Sequence, residues 1–347
     1  MRILKRVLVA VTVVSAFTAA SGTADASTTT RVVRPGQSIQ AAVDASKAGD
    51  TVLVRPGTYH ESVNIGGDGI RLVGFGATLA PPAAADPESP CAGNGFCVLG
   101  DVSDAGEVNS YRSNVSITGF RITGFDGLGI IGYGARNLTV EGNDLAGNGG
   151  YGVAAFTSTG TKYLFNSAHD SGEAGLYIGD SPNANATLVG NRSYNNQFGA
   201  FLRDSQHSTL AFNQFRDNCI GIIVLADAPG PAGNDNIVAN LITHNTKACP
   251  ASEDGPPLSG GGVAIVGGHD NRVTANVITD NAPSGDSIAS GGVIVQAGRG
   301  GTEPVNNVVS VNLLRRNTPA DLVSDGTGTG NVFSHNSCTS SLPPGSC

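Results

Sequence analysis

An all-β solenoid, the parallel β-helix, is the fold class this sequence predicts, and three observations carry the prediction. First, asparagines recur as Asn143, Asn166, Asn191, Asn213, Asn240, Asn276, Asn312 and Asn336, at spacings of 23, 25, 22, 27, 36, 36 and 24 residues. Self-similarity near 22 to 25 residues is the mark of a solenoid. Second, another column stands five residues further on, at Asn148, Asn196, Asn218, Asn245, Asn281 and Asn317, with Ser171 filling its gap. Third, a glycine opens an apolar alternation in each repeat, as in "GLYIGDS" from Gly175, "GAFLRDS" from Gly199 and "GIIVLAD" from Gly221. Period two means strand, so Leu176, Ile178, Ala200, Leu202, Ile222 and Val224 are expected to point inward. The dense leucine pattern of leucine-rich repeats is missing.

In a parallel β-helix, equivalent residues of successive coils stack about 4.7 to 4.9 Å apart. An asparagine at a turn then gives its amide to the asparagine of the next coil and accepts from the one before, so the columns are read as structural ladders. The glycines mark turns that need positive φ or close backbone approach. Regular coils are expected over about 114–338. Upstream, Ile39, Ala42 and Val43 sit at helical spacing behind Ser38, a natural N-cap, so a short helix is expected to cover the open end of the solenoid within a cap at 34–65. The Pro- and Gly-rich stretch 81–111 reads as loop-rich.

Composition sets the setting. Of 347 residues, 49 are Gly, 39% are hydrophobic and 14% charged, too apolar for a disordered chain. The start is basic at Arg2, Lys5 and Arg6, turns apolar from Val7 to Phe17 and ends in Ala24-Asp25-Ala26, the pattern of a secretory signal peptide over 1–26. The remainder, 27–347, is expected to be exported as a single domain bearing about ten net negative charges, which argues against nucleic acid or anionic lipid as partner. Six cysteines in an oxidising compartment favour disulfides over metal. Proximity pairs Cys91 with Cys97, Cys219 with Cys249, and Cys338 with Cys347.

The segment from Arg34 to Ile65, followed by coils with their asparagine columns, resembles the right-handed parallel β-helix proteins of the pectate-lyase-like superfamily, including periplasmic copper-site maturation proteins with the same short repeat. The resemblance implies a right-handed helix and a functional range of polysaccharide lyases, hydrolases, epimerases, esterases and noncatalytic proteins. Its catalytic signatures do not carry over. "GGHD" at 267–270 lacks the other pieces of the polygalacturonase pattern, and "AHD" at 168–170 lacks the leading acid and proline of the alginate epimerase motif. A copper role would need a Cys, Met or His cluster, and the one Met is the initiator.

Stacking places candidate chemistry three residues after each ladder asparagine. That position holds Ala146, His169, Tyr194, Arg216, Thr243, Thr279 and Arg315, so His169, Tyr194 and Arg216 are expected in one outward column beside Asp170 and Asp217. In uronate elimination or epimerisation an Arg neutralises the sugar carboxylate, a His takes the α-proton and a Tyr donates to the leaving oxygen. The competing use is a solvated polar face. Tyr177 and Phe201 are expected to stack outward on the long strands, where they can carry a sugar ring or simply pack across coils. A net acidic protein meets an acidic glycan unfavourably unless Arg192, Arg203 and Arg216 make a local basic strip or Ca²⁺ bridges the charges, so such a strip is what binding by these arginines requires. Asp180 and Asp204 are the carboxylates placed to help hold Ca²⁺, against their ordinary use in capping a turn. His207, His244, His269 and His335 have no metal-site spacing.

Two insertions, 249–260 and 282–290, fall after the second asparagine column on adjacent coils and are expected to rise from one edge, beside His169, as a groove wall. The resulting reading is a secreted protein that binds acidic extracellular polysaccharide and modifies it by lyase or epimerase chemistry. A noncatalytic glycan-binding or cell-surface solenoid is the alternative.

Overall fold

The computed structural model describes residues 28–347 apart from 228–229 and 253–254; the expected signal peptide lies outside them. The chain winds as a parallel β-helix. One coil shows the rule. Thr187–Val189 is a short strand, Gly190 turns with φ 70°, and Asn191 enters the ladder. Arg192–Tyr194 is the next short strand, Asn195 turns with φ 57°, and Asn196 enters the second ladder. The chain then crosses to the long strand Phe198–Ser205. Repetition builds a 20-stranded sheet of short strands folded around a corner and an 11-stranded sheet of longer ones. The strands pair parallel and in register, for example Tyr194 with Arg216 and Leu202 with Val224.

The ladders satisfy what the turns would otherwise leave unpaired. The Asn213 Oδ1 accepts both the backbone N–H and the side-chain amide of Asn191, each at 2.9 Å, and the Asn191 amide also reaches the Tyr163 carbonyl at 2.8 Å. The second column repeats this from Asn196 to Asn317 and closes on Asp321. A buried amide whose donors and acceptor are all used costs little to bury. A third ladder, Ser208, Asp235, Asn271, Asn307 and Asn331, escaped the sequence reading because only its last three members are asparagine. The detectable signal was an asparagine five residues before Asn276, Asn312 and Asn336.

Leu176, Ile178, Ala200, Leu202, Ile222 and Val224 stack in the interior, each at most 1% exposed. The other side of the long strands is buried too. Tyr177, Phe201, Ile223, Ala264 and Ile294 form a second apolar cluster with Leu258 and Ala289 of the insertions. Of the two uses expected for Tyr177 and Phe201, packing across coils is what the structure shows, and Tyr177, at 1% exposure, has no open ring face to carry a sugar. Tyr177 is enclosed by Tyr151, Phe156 and Phe201, with centroids 4.4, 4.9 and 5.2 Å away. Its hydroxyl lies so close over Gly179 that no Cβ fits there.

At the N-terminus, helix Ile39–Asp44 buries Ile39 and Val43 over the first coil. Ser38 caps it by accepting from the Ala41 N–H at 3.1 Å, and Glu61 accepts from the N–H groups of Ile39 and Gln40 at 2.8 and 3.0 Å. The stretch 81–111 is less loop-like than its composition suggests, because Phe96–Leu99 joins the long-strand sheet. The disulfides are Cys91–Cys97, Cys219–Cys249 and Cys338–Cys347, with Cα atoms 5.6, 6.0 and 5.5 Å apart.

Candidate functional site

His169, Tyr194 and Arg216 are brought together as one column on the outward face of the second row of short strands. The imidazole and phenol rings stack with centroids 4.7 Å apart and planes 6° from parallel, and the guanidinium carbon of Arg216 lies 4.4 Å from the Tyr194 centroid. His169 and Arg216 already have protein partners for their polar atoms. His169 Nδ1 faces Asp170 Oδ2 at 2.6 Å, and Nε2 faces Asp144 Oδ1 at 3.0 Å. Carboxylate oxygens only accept, so neither ring nitrogen has a lone pair turned toward a substrate proton. The bond from His169, with that from Asn195, holds the Asp170 carboxyl below its ordinary pKa against partial burial. Arg216 pairs with Asp217. His269 binds Asp270 in the same manner at 2.9 Å, with Asp270 again in the left-handed turn position. The His-Asp step is thus a local turn device that this chain uses twice.

Arg192, Arg203 and Arg216 do not form such a strip. Arg192 and Arg216 stand on the short-strand sheet, whereas Arg203 belongs to the long-strand sheet, because its strand lies past the corner at Asn195. Asp180 and Asp204 occupy left-handed turns at φ 50° and 46°. Asp204 caps its neighbour, accepting the Asp227 N–H at 2.8 Å, and burial lifts its carboxyl above the ordinary value. Among the described residues, no three His, Cys, Asp or Glu side chains are grouped to hold a metal ion.

The insertions do rise from one edge, but they wall a different face from the one expected. Cys249 is bridged to Cys219 at the corner and exchanges backbone hydrogen bonds with Leu258 at 2.8 and 2.9 Å, which closes the first insertion. Ser259 ties it to the second: its Oγ accepts the Ser284 N–H at 2.9 Å, and its own N–H donates to Ser287 Oγ at 2.9 Å. The pair folds over the long strands and leaves a cleft of about 500 Å³ lined by Tyr151, Glu173, Arg203, Asp227, Pro256 and Ile288, among others. Neither His169, Tyr194 nor Arg216 lines it. Lys247, at the root of the first insertion, instead reaches back to the Asn195 carbonyl at 2.9 Å.

The cleft collects polar groups in a partly desolvated setting. Arg203 donates to Asp227 Oδ2 at 3.0 Å and lies against the Tyr177 hydroxyl beneath it. Burial, with the adjacent Glu173 carboxylate, pushes the Tyr151 phenol well above its ordinary pKa, and burial does the same to Tyr177. Both phenols therefore stay protonated at neutral pH. A concave surface with a cation, two carboxylates and a protonated phenol can bind an anion, stabilise developing negative charge and hand over a proton. The sequence reading named Arg203 as a binding residue but missed Tyr151, Glu173 and Asp227, which share no period with it.

This architecture defines the class: the right-handed β-helix region family matches residues 63–196 and 128–309, and the chain belongs to that family. No curated protein matches the chain. Among solved structures it is similar to a mutant of the periplasmic alginate epimerase AlgG, with 16% identity over 84% of this chain and 69% of that one at a TM-score of 0.61. It is also similar to the A-module of the mannuronan C-5 epimerase AlgE4 of Azotobacter vinelandii, with 18% identity, 86% and 89% coverage and a TM-score of 0.58. A third is the DFA-IIIase of Arthrobacter chlorophenolicus A6, with 13% identity, 86% coverage of both chains and a TM-score of 0.54. At these identities the likeness establishes the fold.

Proposed function

We propose that this is an exported protein that binds acidic extracellular polysaccharide and modifies it by lyase or epimerase chemistry, with the long-strand cleft as its active site. The observation that carries the reading is Arg203 in that cleft, between Asp227 and the protonated phenols. Arg203 takes the uronate carboxylate and makes the adjacent carbon acid more acidic. Glu173 removes the proton from that carbon. The phenol of Tyr151 then either protonates the departing glycosidic oxygen, giving an unsaturated sugar, or returns a proton to the opposite face, giving the epimer. Three disulfides suit an oxidising compartment.

A second reading keeps the chemistry and moves it to His169, Tyr194 and Arg216, with Asp170, Asp217 and Arg192 as binding groups. Their stacking as one column favours it; the occupied nitrogens of His169 weigh against it. The noncatalytic alternative needs only a binding face. Unsaturated-uronate absorbance and proton exchange at the sugar C5, followed on alginate, polygalacturonate and hyaluronan, separate all three. Turnover lost in Arg203→Ala and kept in His169→Ala supports the cleft. The reverse supports the column, and binding without either signal leaves the noncatalytic reading.

A further inference from the structure

Each coil turns through residues in the left-handed region, where glycine, asparagine and aspartate are tolerated best. The turn before the second asparagine column mostly follows that preference, with Gly147, Asp170, Asn195, Asp217 and Asp280 at φ of 63°, 57°, 57°, 56° and 60°, and His244 and Arg316 at 54° and 55° as its exceptions. The turn before the first column has the same backbone and departs from it. Between Gly142, Gly190, Ala239 and Ala275 it places Phe165 at φ 54°, Phe212 at φ 57° and Val311 at φ 61°. Phe165 and Phe212 are also 63% and 68% exposed. A phenylalanine that is both conformationally disfavoured and largely wet contributes little to the fold, so it points to something outside the fold.

The Phe165 ring lies so close over Gly190 that a Cβ there would collide with it. Toward the N-terminal coils Phe165 borders an open depression of about 450 Å³. Gly119 and Gly142 help form its floor. Arg121, Asp144 and Ser167, in register on neighbouring strands, form a polar edge. Arg121 is paired with Asp144, whose other oxygen faces His169 Nε2 at 3.0 Å, and the Arg121 and Asp144 side chains remain 51% and 34% exposed, open to further acceptor and donor contacts.

We propose that this depression is a second saccharide site, separate from the cleft, which seats a pyranose ring with its C–H face on Phe165 and its hydroxyls on Arg121 and Asp144. A sugar ring needs an apolar platform on one face and, at its rim, donors beside acceptors for hydroxyls that do both. The depression is open rather than enclosed, so a polymer can run through it along the corner to Phe212. That residue lies two coils further on, or about 10 Å at the interstrand spacing, the length scale of a disaccharide. The site rests on the reading that the ligand is a polysaccharide; it does not depend on catalysis.

Native gels cast with alginate, polygalacturonate, hyaluronan or xylan test it, using wild type, Phe165→Ala, Phe165→Tyr, Arg121→Ala and Arg203→Ala. The expected result is retardation of the wild type in at least one gel. In that gel, affinity falls about 3- to 10-fold for Phe165→Ala, the loss expected for one aromatic contact, is restored in Phe165→Tyr and falls again in Arg121→Ala. Retardation unchanged in Phe165→Ala but lost in Arg203→Ala overturns the corner site and leaves the cleft standing. A wild type retarded in none of the gels overturns both.

Discussion

Two outward faces of the same coils have had opposite fates. On the second row of short strands, His169, Tyr194 and Arg216 line up in register as the repeat dictates, and His169 and Arg216 pair with the aspartates of their own turns. On the long strands the outward positions are mostly apolar, with Arg203 and Gln296 among the exceptions, yet this face holds a cleft and strongly perturbed phenols. The difference comes from two insertions that raise a wall and exclude water over one face alone. Periodic stacking brings chemical groups together; concavity and desolvation change how they behave.

The strongest way to break this contrast is to exchange its centres. Arg203→Ala is expected to lower turnover of an acidic polysaccharide by about 100-fold or more, the scale of losing a preorganised charge stabiliser, while His169→Ala stays within about 3-fold. Equal losses in steady-state rates would erase the distinction between the faces. Next in size is the wall. Replacing Cys219 and Cys249 together by Ala is expected to cost about 2–4 kcal/mol in denaturant unfolding. It should also weaken glycan binding in the cleft without touching the short-strand face. Retained affinity would show that the wall is not needed.

Asp235 offers a control away from both faces, at the corner between the long strands and the first row of short strands. It stands in the third ladder, where asparagine stands on three later coils, its Oδ2 has no partner, and burial pushes its pKa up to about 8 from an ordinary 3.8. A raised carboxyl pKa means that the folded state holds a proton which the unfolded chain has released. Stability is therefore full below about pH 4 and falls as pH rises toward 8, at up to about 1.4 kcal/mol per unit. Asp235→Asn restores the ladder donor, so its advantage in thermal midpoint should grow over that window while binding at either face stays unchanged. A pH-independent difference would sink this account. The smallest effect is expected for His169→Ala on stability, below about 1 kcal/mol, since its carboxylate partners are partly solvated.

Much of the fold could be read from residues alone because an asparagine ladder repeats in sequence just as it repeats in space. Asn191 and Asn213 meet since every coil returns to the same corner, and Ser171 could be recognised as a substitute by position. The third ladder was hidden where Ser208 and Asp235 replace asparagine. The His169 column was legible for the same reason as the ladders, being a fixed offset within each coil. The cleft was not, because Tyr151, Glu173, Arg203 and Asp227 occupy unrelated offsets and meet only once loops of irregular length have folded over them.

Local chemistry and periodicity by themselves determined the coil: strand alternation, turn residues, ladder amides and the nearest-neighbour disulfides all follow from interactions between a residue and its counterpart one repeat away. Tertiary structure decided which face is wet. Tyr177 and Ile223 alternate as outward residues should, yet they are buried in a cluster built from rings of neighbouring coils together with Leu258 and Ala289 of the insertions, whose path no repeat encodes. Burial in that cleft lifts the Tyr151 phenol, and Arg203 is held beside Asp227, so the candidate chemistry belongs to the assembled cleft and not to the repeat.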